Sequence, residues 1–430
     1  MVNMLLIKNG RLLDPASGLD GQYDILIEDD RIKRIAPSIS REEAGGEALL
    51  LDATGMCIAP GLVDVHVHFR DPGFTEKEDI ITGAAAAKAG GFTTVVCMGN
   101  TKPVADHADV LHYVAQKGQE TGIHVYQAGT ITVGLAGKKL TDMSELKKEG
   151  APGFTDDGIP ILDEALVIEA MEKAKELEVP LSFHEENPAY ISENGINSGI
   201  APKMQLKGSD RQAEIDLVKR DLKLALQTGA SINIQHISSK EAVDLVRRAK
   251  EECKENPCNI HAEATPHHFS MIEDAVLAKG TLAKMNPPLR TNEDKLAIIQ
   301  GLKDGTIDLI ATDHAPHTIE EKAREFTKAP SGIIGLETAL PLGITKLVKE
   351  GHLTLLSLLE KMTINPARLY HLDAGYLKEG GPADLVLFDP EESFVVTDFA
   401  SKASNSPFVG ETLFGKIHGT ICEGIIVRLA

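Results

Sequence analysis

The chain has 430 residues, 64 acidic and 44 basic, for a formal net charge of −20. A hydrophobic share of 42% supports a sizeable core and excludes global disorder. The acidic balance, with aromatics at 4% and no Trp, excludes a phosphate-backbone footprint, an anionic-membrane surface and a stacking platform for single-stranded nucleic acid.

Residues 1–59 read as short strands with turn signals at Asn9-Gly10, Asp29-Asp30 and Thr54-Gly55. Lys8 and Asn9 interrupt the layout of a signal peptide, and no stretch reads as a membrane span. The expected location is cytoplasmic. Residues 60–372 alternate amphipathic helical stretches with eight strand-like runs, at 61–69, 93–99, 123–131, 152–157, 179–186, 231–238, 259–267 and 306–314. Eight such units predict an α/β fold, with residues 60–372 as a (β/α)8 TIM barrel. Residues 373–430 are again β-rich, so the two chain ends are expected to build one small β-sandwich domain. The five cysteines form no disulfide framework, and Cys253-x4-Cys258 lacks the second ligand pair of a structural zinc site. Their low usage fits a reducing cytosol.

Ionisable residues gather at the C-terminal ends of the runs, the rim where barrel catalysis sits. His66 and His68 close the first run, Asp156 and Asp157 the fourth, and His184 the fifth. His236 closes the sixth and Asp313 the eighth. On a strand, positions i and i+2 share a face, so His66 and His68 both point into the lumen. Imidazoles and a carboxylate converging from four strands suit Zn2+. Five such ligands exceed what one open tetrahedral zinc takes, so two ions are expected, bridged by Asp156 or Asp157.

These residues resemble the amidohydrolase superfamily, through APGLVDVHVHF and INPARLYHLDAGYLKEGGPADLVLFD. More narrowly, HFRDPG, GFTDDG, SFHEEN, ATPHHF, NPPLR and TDHAPH resemble the long-chain bacterial (type I) dihydroorotase family, over nearly the whole chain. The resemblance implies that His66, His68 and Asp313 bind one Zn2+, His184 and His236 a second, and Asp157 both. It implies reversible cyclisation of N-carbamoyl-L-aspartate to L-dihydroorotate in pyrimidine (UMP) biosynthesis. The nucleophile would be a hydroxide bridging the ions, with Asp313 as general base and then acid. Arg70 would clamp the unreactive carboxylate, helped by His68, Asn100 and His317. Asn286 and the backbone of Ser331-Gly332 would hold the ring. The counted charges of such a site sum to +2, which favours a small anionic substrate inside an acidic protein. A homodimer, with association to aspartate transcarbamoylase, would be the assembly. His267, His268 and His314 read as structural.

Met98-Gly99-Asn100-Thr101 departs from the family's Met-Pro-Asn-Thr. Two other readings compete. In allantoinases and hydantoinases the bridge is a carboxylated lysine, and no Lys lies near the end of run four. A non-catalytic dihydroorotase-like subunit should lack ligands, and all six positions are filled.

Overall fold

The computed structural model describes residues 4–254 and 259–429. Five strands open the chain: β1 (Met4–Asp14), β2 (Leu19–Glu28), β3 (Arg31–Ala36), β4 (Leu49–Asp52) and β5 (Cys57–Pro60). Eight follow in the middle: β6 (Leu62–Val67), β7 (Phe92–Cys97), β8 (His124–Gln127), β9 (Phe154–Thr155), β10 (Leu181–Phe183), β11 (Ser231–Ile234), β12 (Asn259–Ala264) and β13 (Leu309–Ile310). Seven fall within one of the eight expected runs, β7 begins one residue ahead of its run, and several are much shorter than the run. The chain ends with β14 (Leu385–Val395), β15 (Thr412–Cys422) and β16 (Ile425–Leu429).

The middle strands are parallel, in the order β6-β7-β8 and β9-β10-β11-β12-β13. Regular pairing stops at two seams, each spanned by a single parallel bridge, Gly129 with Phe154 and Val67 with His314. Hydrogen bonds cross both, Thr155 N to Gly129 O and His68 N to His314 O, each at 2.9 Å. Asp64 reinforces the second seam by accepting from Thr312 N at 3.2 Å. β6 and β7 are buried throughout, as a sheet covered by helices requires. Along β6, Val63 and Val65 pack with Val96, Met98, Leu309, Ala311 and Tyr370. The register of β6 against β7 shifts between Asp64 and Val67, and His66 and His68 both reach the mouth.

The surrounding helices are bounded by side-chain caps. Asp163 accepts from Ala165 N and Leu166 N ahead of the helix Glu164–Glu176, and Ser239 accepts from Ala242 N ahead of Lys240–Cys253. Each cap is worth about 1 kcal/mol. The helix Glu164–Glu176 buries Leu166, Val167, Ala170, Met171 and Ala174, a stripe at helical spacing.

Strands from both chain ends form one continuous eight-stranded sheet, β16-β15-β14-β5-β1-β2-β3 with β4 beside β1, rather than two separate sheets. Its period-two alternation docks it on the barrel. Cys57, Ala59, Val386 and Phe388 join the barrel's core, while Ile58, Leu385 and Leu387 join a core within the sheet. Cys57, Cys97 and Cys422 are free and buried. The Cys253-x4-Cys258 pair lies partly outside the described residues. Among the described residues no helix is long and apolar enough to cross a membrane.

Candidate metal centre and substrate pocket

The fold brings His66, His68, Asp157, His184, His236 and Asp313 to one point at the barrel mouth. Asp157 is central. Its Oδ1 lies 3.3 Å from His66 Nε2 and 3.6 Å from His184 Nδ1, and its Oδ2 lies 3.4 Å from His68 Nε2. Asp313 Oδ1 is 3.1 Å from His68 Nε2 and 3.4 Å from His66 Nε2. His236 Nε2 is 2.9 Å from His184 Nδ1. Three overlapping sets can each hold an ion: His66, His68 and Asp157; His66, His236 and Asp313; and Asp157, His184 and His236. Asp157 belongs to the first and third, the position a bridge needs.

The neighbouring Asp156 is committed elsewhere. It accepts from Ile131 N at 2.7 Å and Thr132 N at 3.0 Å, and from the Thr132 hydroxyl. Burial pushes its pKa up to about 6.

The donor set fits a divalent cation. His66 Nε2 and Asp157 Oδ1 are buried without any hydrogen-bond partner. Such a pair, an imidazole nitrogen facing a carboxylate oxygen, is what a shared ion satisfies. His66 Nδ1 lies 2.6 Å from Glu263 Oε1, which places the proton on Nδ1 and aims the Nε2 lone pair at the cluster. Glu263 is fully buried and also accepts from Asn233 Nδ2 at 2.9 Å. Burial, with the neighbouring His184 and His66 rings, holds His236 well below its usual pKa, so it too offers a neutral nitrogen. Burial works to raise the Asp157 carboxyl, but the facing imidazoles hold it well below the carboxylate range.

Three residues of this rim sit at left-handed backbone angles, Arg70 at φ 61°, His236 at φ 30° and Asp313 at φ 48°. Such conformations cost about 1–3 kcal/mol each and persist where the surroundings over-determine them, typically at functional sites.

Asn100, which the resemblance implied as a substrate contact, also touches two residues of the cluster. Its Oδ1 lies 3.0 Å from His68 Nδ1, and its Nδ2 donates to Asp157 Oδ2 at 3.2 Å. It therefore orients two members of the cluster. At Gly99 beside it, an added Cβ would lie 2.7 Å from Thr130 Cγ2. The departure from the family pattern is matched by this methyl group.

Arg70 reaches Pro316 O through Nε at 3.2 Å, and its Nη2 lies 3.5 Å from His317 Nε2. Among the described residues it makes no ion pair, though Asp313 and Asp157 favour its charge. His317 Nε2 donates to Ser331 O at 2.8 Å, and Ser331 Oγ donates to Asn286 Oδ1 at 3.2 Å. Burial and the nearby Arg70, Lys77 and Lys322 push His317 down to about 2, so it stays neutral. Gly332, at φ 121°, turns this loop where a Cβ would lie 2.7 Å from that of Ala315. His268 and His314 are structural, bonded to Pro287 O at 3.0 Å and Gly335 N at 3.2 Å. His267 is buried beside His268.

The sequence reading did not single out Glu263, a lone carboxylate within a buried barrel strand, which is the signal that marks it. It also passed over two lysines behind the substrate loop. Lys284 Nζ donates to Phe326 O and Ala329 O at 2.6 and 2.7 Å, and Lys322 Nζ to Pro330 O and Gly332 O at 3.0 and 2.9 Å. Burial, then the charge of Lys284, lowers Lys322 to about 7. The folded state thus binds this proton less tightly than the unfolded chain, and stability rises with pH from about 7 toward the ordinary lysine range. Urea unfolding of wild type and Lys322→Met across that window should show the variant without this part of the rise.

The amidohydrolase family profile matches residues 57–427. Dihydroorotases from Clostridioides difficile strain 630 and Clostridium acetobutylicum are 55% and 54% identical to this chain, covering 99% of both partners in each case. That of Lactococcus lactis subsp. lactis is 51% identical with the same coverage. Among solved structures, the L-hydantoinase (dihydropyrimidinase) from Arthrobacter aurescens superposes with a TM-score of 0.86 at 24% identity, covering 100% of this chain and 96% of that one. The dihydropyrimidinase from Brevibacillus agri NCHU1002 gives 0.84 at 22%, covering 98% and 94%. At these identities the solved structures speak for the fold alone.

Proposed function

The chain belongs to the amidohydrolase family, and within it to the dihydroorotases, and on that premise we propose that it reversibly cyclises N-carbamoyl-L-aspartate to L-dihydroorotate in pyrimidine biosynthesis. The observation that carries the reading is the pairing of a six-residue His/Asp cluster with an unpaired arginine, Arg70, at the same barrel mouth. A dihydroorotase needs both: a centre that activates an amide and a cation for a carboxylate that does not react.

In this reading His66, His68 and Asp313 would hold one Zn2+, His184 and His236 would hold a second, and Asp157 would contact both. Ions bound there polarise the amide carbonyl and bring the pKa of a water toward neutrality. The remaining work falls to side chains. Asp313 Oδ1 is engaged with His66 and His68 at 3.4 and 3.1 Å, which leaves Oδ2 for proton transfer. In ring opening, Oδ2 takes the proton of the attacking water and delivers it to the ring nitrogen as the C–N bond breaks. In closure it takes the proton from the carbamoyl nitrogen and gives it to the departing oxygen. The planar fork of Arg70 holds the carboxylate. Asn286, Ser331 and Gly332 flank the ring, and Lys284 and Lys322 keep their loop in place.

Glu263 is expected to act through His66. Glu263→Gln should weaken zinc binding about 10–100-fold. Metal retained after dialysis against graded chelator checks this, and unchanged retention would remove Glu263 from the role. The function is tested by assaying zinc-loaded protein with dihydroorotate, hydantoin and allantoin. Turnover of dihydroorotate is expected, and turnover of either of the others without it would overturn the reading.

A further inference from the structure

A second cluster of metal-ligating side chains lies at the far end of the barrel, where the terminal sheet docks. His124 opens β8, Asp384 directly precedes β14, and Cys422 ends β15. His124 Nε2 is 3.0 Å from Asp384 Oδ2, and one donor atom from each of the three residues lies within 4.8 Å of the others. Asp384 is held in orientation, since its Oδ1 accepts from Glu423 N at 2.8 Å. Cys422 is a free thiol, 2% exposed, with Sγ 3.9 Å from Thr93 O. None of these residues belongs to the mouth, which lies past the opposite ends of β6, β7 and β8.

A second observation points to a ligand. His124 and Asp384 line a cavity of about 130 Å³ together with Thr94. Thr94 is 1% exposed, and its hydroxyl has no hydrogen-bond partner. The same cavity carries Asp30, Asp373 and Glu423 against a single cation, Arg31, which is itself paired with Asp30 and Asp373 at 3.3 and 3.6 Å. The cavity is therefore both polar and anionic.

We propose that His124, Asp384 and Cys422 form a structural site for a divalent transition ion, Zn2+ by its donor chemistry, that staples the barrel to the terminal sheet. One imidazole, one thiolate and one carboxylate suit Zn2+ and disfavour Mg2+ and Ca2+, which take oxygen. Thiolate and carboxylate together neutralise the ion. Binding releases the Cys422 thiol proton to solvent and leaves the His124 proton on Nδ1, freeing Nε2. The fourth position faces the cavity and takes water. The three ligands come from elements up to about 300 residues apart in sequence, so the binding energy would appear as folding energy of the whole assembly.

Cobalt distinguishes this site from the mouth, because the cluster at the mouth contains no sulfur. The full-length protein reconstituted with Co2+ is expected to show a near-ultraviolet sulfur-to-cobalt charge-transfer band. Cys422→Ser should abolish the band, remove one metal equivalent per chain and lower Tm in zinc, with kcat unchanged. His124→Gln should weaken the band and lower the retained metal. Absence of the band in cobalt-loaded wild type overturns the proposal, whatever the variants do. A band that survives both His124→Gln and Asp384→Asn also overturns it, since the thiol alone would then be capturing metal. The readout does not depend on how the mouth is occupied, so a failure here leaves the dihydroorotase reading intact.

Discussion

Replacing Asp313 with Asn lowers kcat for dihydroorotate by about 10³-fold or more, with little change in KM. A positioned proton carrier contributes about 10²–10⁴-fold, and Asp313 is also a ligand in the proposed centre, so the loss lies toward the upper end. Asn is the informative substitution because the residue sits at φ 48°. Asn tolerates that conformation as Asp does, whereas Ala would add backbone strain of its own. An Asn oxygen at the Oδ1 position still faces His66 and His68, but the amide nitrogen cannot take a proton. The variant should therefore stay folded and stay nearly inactive. Circular dichroism, metal content and kcat together check this. More than a tenth of wild-type kcat, with metal retained, would mean that another group carries the proton.

Much of this site was legible because barrel strands put chemistry at their ends. The i, i+2 spacing of His66 and His68 put both on one face, and the structure brings both into the cluster. The order of the eight runs held, while their lengths did not. The fourth run reduces to Phe154–Thr155 and the eighth to Leu309–Ile310. Both strands flank the two seams, where single bridges replace regular pairing, and local apolarity does not report on that. The left-handed angles at Arg70 and His236 were also out of reach, because neither side chain favours them and tertiary contacts impose them. Asn100 shows a different limit. Strand patterning located it at the rim, but whether it faces substrate or a neighbouring ligand depends on two elements meeting in space. Lys322 illustrates the same point from the other side. In a run of alternating charges it reads as solvated, yet it is 5% exposed and its ammonium is spent on two carbonyls of the substrate loop.

Arg70→Ala should separate capture of the substrate from chemistry. Arg70 is the cation the proposed pocket directs at the unreactive carboxylate, and its Nε is anchored on Pro316 O at 3.2 Å. Removing one partner of a desolvated charge pair costs about 2–5 kcal/mol. KM is therefore expected to rise about 10²-fold or more, with kcat reduced far less and metal content unchanged, because Arg70 is not a ligand. Arg70→Lys should restore little, since an ammonium cannot reproduce the two parallel bonds of the guanidinium fork. Dihydrouracil, which has the ring without the carboxylate, provides the control. Wild type should prefer dihydroorotate strongly, and Arg70→Ala should lose most of that preference by losing dihydroorotate rather than by gaining dihydrouracil. The substitution also removes a positive charge that acts on Asp157 and Asp313, so a small fall in kcat is compatible with the role. A near-normal KM, or a preference for the carboxylate that survives in the variant, would show that another group holds it.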